Sequence, residues 1–97
     1  MIQKMNQHRV LVLHPGDNVA VALVPLQAGD TVAIDGSPLG SVLQVRMAIP
    51  VGHKVALCAL GPGDKVIKYG QPVGVVTQHI APGEHVHIHN VVSARAG

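Results

Sequence analysis

Three imidazoles stand at alternate positions near the end of this sequence, in Gly83-Glu-His-Val-His-Ile-His-Asn90. In an extended strand successive side chains point to opposite faces. His85, His87 and His89 are therefore predicted to share one face, with Val86 and Ile88 turned to a core on the other. Neutral imidazole suits iron, manganese or zinc, and rings at i and i+2 of a strand can converge on one ion. The outer two of three are too far apart in a flat strand. His85 and His87 are thus the expected ligands, with His89 in a supporting or interface role. Glu84 can orient a ring or lend an oxygen. His14, which ends an apolar run before Pro15-Gly16, can join from a neighbouring strand; it equally reads as a turn histidine. The plainer alternative for the whole stretch is a solvated, histidine-rich edge.

Two further stretches carry cations. Lys54 follows Gly52-His53 and can hold a carboxylate as a flexible point charge. Lys68-Tyr69-Gly70 is similar in kind, and Tyr69 is the sole aromatic residue, so its ring is expected to find a stacking or hydrogen-bonding partner. Lys54, Lys68 and Tyr69 are the candidate substrate contacts, while His53 and Asn90 join Glu84 and His89 as supporting or interface residues. His8 and His79 read as surface. Proton abstraction beside a carboxylate needs a base, a cation or metal, and an acid for the leaving hydroxyl. The carboxylates Asp17, Asp30, Asp35, Asp64 and Glu84 are scattered among turns, which suits a partial site completed from elsewhere.

The scaffold has to be built almost without aromatics. In 97 residues there are no Phe or Trp, 11 Gly and 7 Pro, while 47% are hydrophobic. A core of Val, Ile, Leu, Ala and Met with frequent turns points to short β-strands in one small domain. A formal charge of +2, with 12% charged residues and no basic cluster, excludes nucleic-acid binding. No apolar run approaches the ~18 residues of a membrane helix, and residues 1–7 lack the apolar stretch of a signal peptide. A lone Cys58 in an apolar run reads as a core thiol and suits a reducing cytoplasm.

The chain also repeats itself. Leu26-Gln-Ala-Gly-Asp-Thr-Val32 and the following Gly36-Ser-Pro-Leu-Gly-Ser-Val42 recur thirty-four residues on, as Leu60-Gly-Pro-Gly-Asp-Lys-Val66 and Gly70-Gln-Pro-Val-Gly-Val-Val76, with eight identities in seventeen positions. A related turn closes each half: Ile49-Pro-Val-Gly-His-Lys-Val55, after three extra residues, and Ile80-Ala-Pro-Gly-Glu-His-Val86. Glycine supplies a left-handed turn position, a polar residue follows, and Val opens the next strand. Gly-x-Pro-x-Gly reads as a second kind of tight turn. An all-β domain of two pseudo-equivalent halves is predicted over residues 9–92, between a loose terminus at 1–8 and a tail at 93–97. Arg9–Leu13 and Val19–Val24 are expected strands, and residues 41–48 a strand, a bulged linker or a short helix.

Four strings occur in the same order in a known family: Asp17-Asn-Val-Ala-Val-Ala-Leu23, Gly52-His-Lys-Val-Ala-Leu57, Val66-Ile-Lys-Tyr-Gly70 and Gly83-Glu-His-Val-His-Ile-His-Asn90. From about His14 to Asn90 the chain resembles the N-terminal domain, or free small subunit, of the altronate/galactarate dehydratases. Small subunits of sulfolactate sulfo-lyases are similar. The resemblance implies the SAF-type β-clip (antifreeze-like) fold. It also implies loss of water from a sugar acid, dependent on iron (Fe2+) or Mn2+, in partnership with a large catalytic subunit or domain. On that basis the chain is expected to be inactive alone, while its complete repeat pair and its lack of a disulfide or long unpaired segment predict that it folds by itself as a β-rich monomer or weak homo-oligomer. The competing expectations are a binding module for a small acid or metal, and a purely structural interaction domain.

Overall fold

The computed structural model describes residues 9–93; the segments assigned as a loose N-terminus and most of the tail lie outside them. The described residues are all-β, in nine short strands: β1 (Val10–Leu11), β2 (Val19–Ala22), β3 (Thr31–Ala33), β4 (Val42–Gln44), β5 (Lys54–Ala56), β6 (Lys65–Lys68), β7 (Gln71–Val76), β8 (His85–Val86) and β9 (Val91–Ser93). A central antiparallel sheet runs β1-β2-β5-β8, flanked by a β3-β4 hairpin and a three-stranded β6-β7-β9 sheet. The stretch 41–48 holds a strand, β4, and no helix.

The sequence repeat is a repeat of hydrogen bonds. Four turns share one construction. The N–H groups of Asp30, His53, Asp64 and Glu84 donate to the carbonyls of Gln27, Pro50, Gly61 and Ala81, three residues back, at 3.0–3.1 Å. The preceding glycines 29, 52, 63 and 83 have φ of 85–93°, a left-handed conformation that glycine adopts without steric cost. Leu26 exchanges both backbone bonds with Ile49, as Leu60 does with Ile80. Gly29 donates to Val45 and Val45 to Asp30; in the second half Gly63 donates to Val76 and Val76 to Asp64. Val45 is therefore the counterpart of Val76, so the three extra residues sit inside the β3-β4 hairpin. This corrects the place of Gly-x-Pro-x-Gly. Residues 36–40 do form the loop of the first hairpin, but Pro72 and Gly74 lie within β7.

Two apolar cores result. One gathers Ala20, Ala22, Leu26, Val32, Leu43, Val45, Ile49 and Val55 with their neighbours; the other gathers Val19, Ala56, Leu60, Val66, Val76, Ile80 and Val86. Adjacent residues Val19/Ala20 and Val55/Ala56 face different cores, because side chains alternate along β2 and β5. The central sheet is the wall between the two. Each fully buried Val, Leu or Ile contributes roughly 1.5–3 kcal/mol, so many small aliphatics replace the missing aromatics. Cys58, half-buried, packs on the second core, and burial followed by the nearby Asp64 carboxylate pushes its thiol pKa up.

Asp17 and Asn18 fasten the second half to the central sheet. Asp17 is 1% exposed, and its Oδ1 and Oδ2 accept the N–H groups of Gly70 and Tyr69 at 2.8 and 3.0 Å. Asn18 accepts from Ile67 N–H through Oδ1 and donates through Nδ2 to the Lys65 carbonyl. The buried carboxylate is what holds Tyr69 at φ 61°, a region costly for a bulky side chain.

Candidate functional site

The histidine stretch does not form the long strand its alternation predicts. β8 ends at Val86, and residues 87–90 turn back on themselves. Asn90 makes that turn. Nearly buried, it accepts the His87 N–H on Oδ1 (2.9 Å) and donates Nδ2 to the His85 carbonyl (2.8 Å). Its own N–H meets the His87 carbonyl at 3.1 Å, and its carbonyl takes the Thr77 N–H at 2.9 Å. Gln78 Nε2 ties down the His89 carbonyl. With four backbone groups satisfied by one residue, the turn outcompetes strand extension. One consequence corrects the expectation for Ile88, which is 83% exposed rather than in the core.

The turn nonetheless gathers the rings. His85 and His87 stack with centroids 5.3 Å apart, and His89 tilts against His85 at 5.1 Å. His53, from the turn before β5, completes the group. Its ring stacks on His87 at 4.1 Å, and its Nδ1 lies 2.8 Å from His85 Nε2. Ligand nitrogens of His53, His85 and His87 all fall within 4.8 Å of one another.

His53 is available because its turn is unlike the other three. In those, a carboxylate bends back to take the N–H three residues earlier: Asp30 from Gln27 (2.9 Å), Asp64 from Gly61 (2.7 Å) and Glu84 from Ala81 (2.8 Å). The fourth turn has Pro50 at the donor position, and proline has no N–H. No acceptor is needed there, so the residue at 53 can be an imidazole facing across β5 and β8, which pair Val55 with His85. The signal was present in the sequence as histidine for an acid, and proline for a donor, in one copy of a repeat.

The surroundings favour the neutral form of His85 and His87. Burial first, then His53, His89, His87 and Lys54, lowers the His85 pKa to about 4. His87 is lowered by burial, then by His53, Lys54 and His89. The 2.8 Å contact itself requires one facing nitrogen to be bare. At neutral pH His85 and His87 thus present imidazole lone pairs. Lys54, beside it on β5, has its pKa lowered by burial and then by Lys68. No carboxylate among the described residues pairs with either lysine.

The remaining candidates lie apart. His14 packs its ring over Gly70 and accepts the Gly16 N–H on Nδ1 (2.9 Å), in the turn reading rather than with the cluster. Glu84 spends Oε1 on its own turn. Tyr69 is 66% exposed, with no side-chain partner among the described residues. His79 is exposed, and His8 lies outside the described residues.

Comparison with known proteins agrees with this architecture. Residues 8–94 match the family described as the altronate/galactarate dehydratase SAF domain. The altronate dehydratase of Escherichia coli (strain K12) is 44% identical over 78 residues, covering 80% of this chain and 15% of that protein. The altronate dehydratase of Bacillus subtilis (strain 168) is 38% identical over the same length. Subunit alpha of the (2R)-sulfolactate sulfo-lyase of Chromohalobacter salexigens is 50% identical over 52 residues, 54% of this chain and 55% of that one. The chain thus spans a small part of the dehydratases and about half of the lyase subunit, and among the described residues there is no helix long and apolar enough to cross a membrane. With a match that spans every described residue, the chain belongs to the altronate/galactarate dehydratase SAF-domain family.

Proposed function

We propose that this chain supplies part of the metal and substrate site of a cytoplasmic sugar-acid hydro-lyase, whose larger catalytic body is a separate chain or domain. The observation that carries this is the convergence of His53, His85 and His87 next to Lys54. The donor set fits a divalent ion of the iron or manganese type: three imidazoles on one side leave the other side for oxygen ligands. His53 takes the third place considered for His14. Such an ion, when bound, polarises the substrate oxygens and stabilises the charge that develops on the carboxylate side.

The chain's own residues set the rest. Lys54, with Lys68 near it, offers positive charge to the acid's carboxylate. The lowered pKa of Lys54 makes it readier than an ordinary lysine to give up a proton. Asn90 holds His87 in place, and the neutral His85 can accept a hydrogen bond. Dehydration removes the proton beside the carboxylate and expels the neighbouring hydroxyl, leaving an enol that becomes the 2-keto-3-deoxy acid. A sulfo-lyase reading is favoured by one observation, the larger share of the lyase subunit that this chain covers; there sulfite leaves in place of hydroxide.

The test is titration of the purified chain with Co2+, Mn2+ and anaerobic Fe2+, followed by absorption and calorimetry. His53→Ala, His85→Ala and His87→Ala are each expected to weaken binding by about tenfold or more, and His14→Ala to leave it unchanged. Equal affinity in all four variants would sink the three-histidine site. The chain alone is expected to show negligible turnover of altronate, galactarate or sulfolactate.

A further inference from the structure

Beside the histidine cluster lies an open cleft of about 250 Å3, walled by Val73, Ile88, Val91 and Val92, with Lys54 and His87 in its lining. Its walls are unsuited to a polyhydroxy acid, whose hydroxyls would face valine and isoleucine and lose their water without replacement. The surrounding surface is also unusual. Ile88 is 83% exposed at the tip of a turn that Asn90 rigidly pins, and Val92 and Val73 are 49% and 44% exposed. A rigid, protruding aliphatic side chain beside an apolar cleft has the form of a protein-docking anchor.

We infer that this cleft and the Ile88 turn are the surface on which the larger catalytic body of the enzyme docks, placing an apolar side chain in the cleft and a carboxylate beside the Lys54–Lys68 pair, which leaves one of the two cations for the substrate. The inference rests on the function proposed above. Three observations select this occupant. The matched region is only 15% of the altronate dehydratases, so most of those proteins lies outside this fold and must pack against it somewhere. The cleft is walled by β9, the last described strand, and is continuous with the histidine cluster through His87, so a body seated there reaches the open side of that cluster. Lys54 and Lys68 have no carboxylate partner among the described residues, which favours an acidic counterpart. Because His87 and Ile88 are neighbours in one turn, docking and site completion are a single event.

The test is hydrogen–deuterium exchange and binding with the large dehydratase-type chain encoded by the same genome. Amides of residues 87–93 are expected to gain protection in the complex. Ile88→Asp and Val92→Asp should weaken the complex by about 30-fold or more, and Ile88→Ala, which cannot disturb folding at so exposed a site, by less. Val42→Asp, an exposed apolar position on β4, should leave affinity unchanged. Rising salt should slow association. The inference is overturned if no complex forms, if the protected amides lie elsewhere, or if the variants bind as well as the parent. It is equally overturned if the chain alone shows this protection through self-association, or if a sugar acid alone produces it. Co2+ binding by the His53 cluster is read separately in the same variants. Unchanged docking in these variants refutes only this surface, and a chain that docks as expected yet binds no Co2+ refutes only the metal site.

Discussion

The argument that Pro50 frees His53 can be measured as a coupling energy. In the three standard turns a carboxylate accepts one backbone N–H at 2.7–2.9 Å. A hydrogen bond to a charged group contributes about 1.5–3 kcal/mol, and the exposure of these turns places it at the lower end, about 1.5 kcal/mol. His53→Asp alone gains nothing, because Pro50 offers no donor. Pro50→Ala alone costs about 0.4–1 kcal/mol through the looser unfolded chain. Together they rebuild the standard turn, so the double variant should be more stable than the sum of the two by about 1.5 kcal/mol. For a chain of this size that coupling is roughly 6–12 °C in Tm. Thermal and urea unfolding of the four proteins supply the cycle, and Co2+ titration supplies the cost, since the new carboxylate is committed to the turn and only two clustered imidazoles remain. A coupling below about 0.5 kcal/mol would show that proline at 50 and histidine at 53 are unrelated, and the account of how the site arose from the repeat would fail.

Asp17→Ala should destabilise the chain by about 3 kcal/mol, since the buried carboxylate is lost and two N–H groups lose their acceptor, with a fall in Tm of roughly 12–24 °C; a smaller loss for Asp17→Ala than for Asp17→Asn would contradict this. Gly83→Ala should cost about 3 kcal/mol or more, because a Cβ there collides with the Gln44 carbonyl oxygen as well as meeting a φ of 87°. Gly29→Ala, with φ 93° and nothing near the new Cβ, should cost only about 1 kcal/mol. The lowered pKa of His85 makes metal-free stability depend on pH. The unfolded histidine takes up its proton near 6.5 and the folded one near 4, so stability is full above about pH 6.5 and falls as pH drops towards 4. Urea midpoints from pH 7.5 to 4.5 should show this slope, reduced in His85→Gln.

The halves were legible in the sequence because their turns are written in local chemistry: a glycine that must be left-handed, a carboxylate three residues from the N–H it caps. Alignment by identity put Val42 opposite Val76, yet the backbone pairs Val45 there, because the extra residues went into a hairpin loop whose prolines and glycines resemble those of a strand. The histidine rings lie together for a different reason than the expected strand. Alternation placed the rings together, but Asn90, not strand geometry, does so, and a side-chain-to-backbone contact of that kind leaves no periodic trace. His14 and His53 could not be ranked from spacing alone. Which strand crosses beside β8 is a property of sheet order, and only the pairing of β5 with β8 brings His53 within reach.

The dividing sheet has a consequence for the order in which the molecule is made. Its ladders join residues far apart in the chain, Val19 to Ala56 and Val55 to His85, whereas the flanking hairpins join near neighbours. Closing long loops is entropically slow, so the hairpins should appear first as two half-formed lobes, and the sheet should zip between them afterwards. β8 is its outermost strand and the last to arrive. During synthesis the histidines therefore remain unassembled until both lobes are in place, and a premature ion would meet separated rings rather than a chelate. Synthesis order itself leaves the histidine corner of the molecule unassembled until its scaffold is finished.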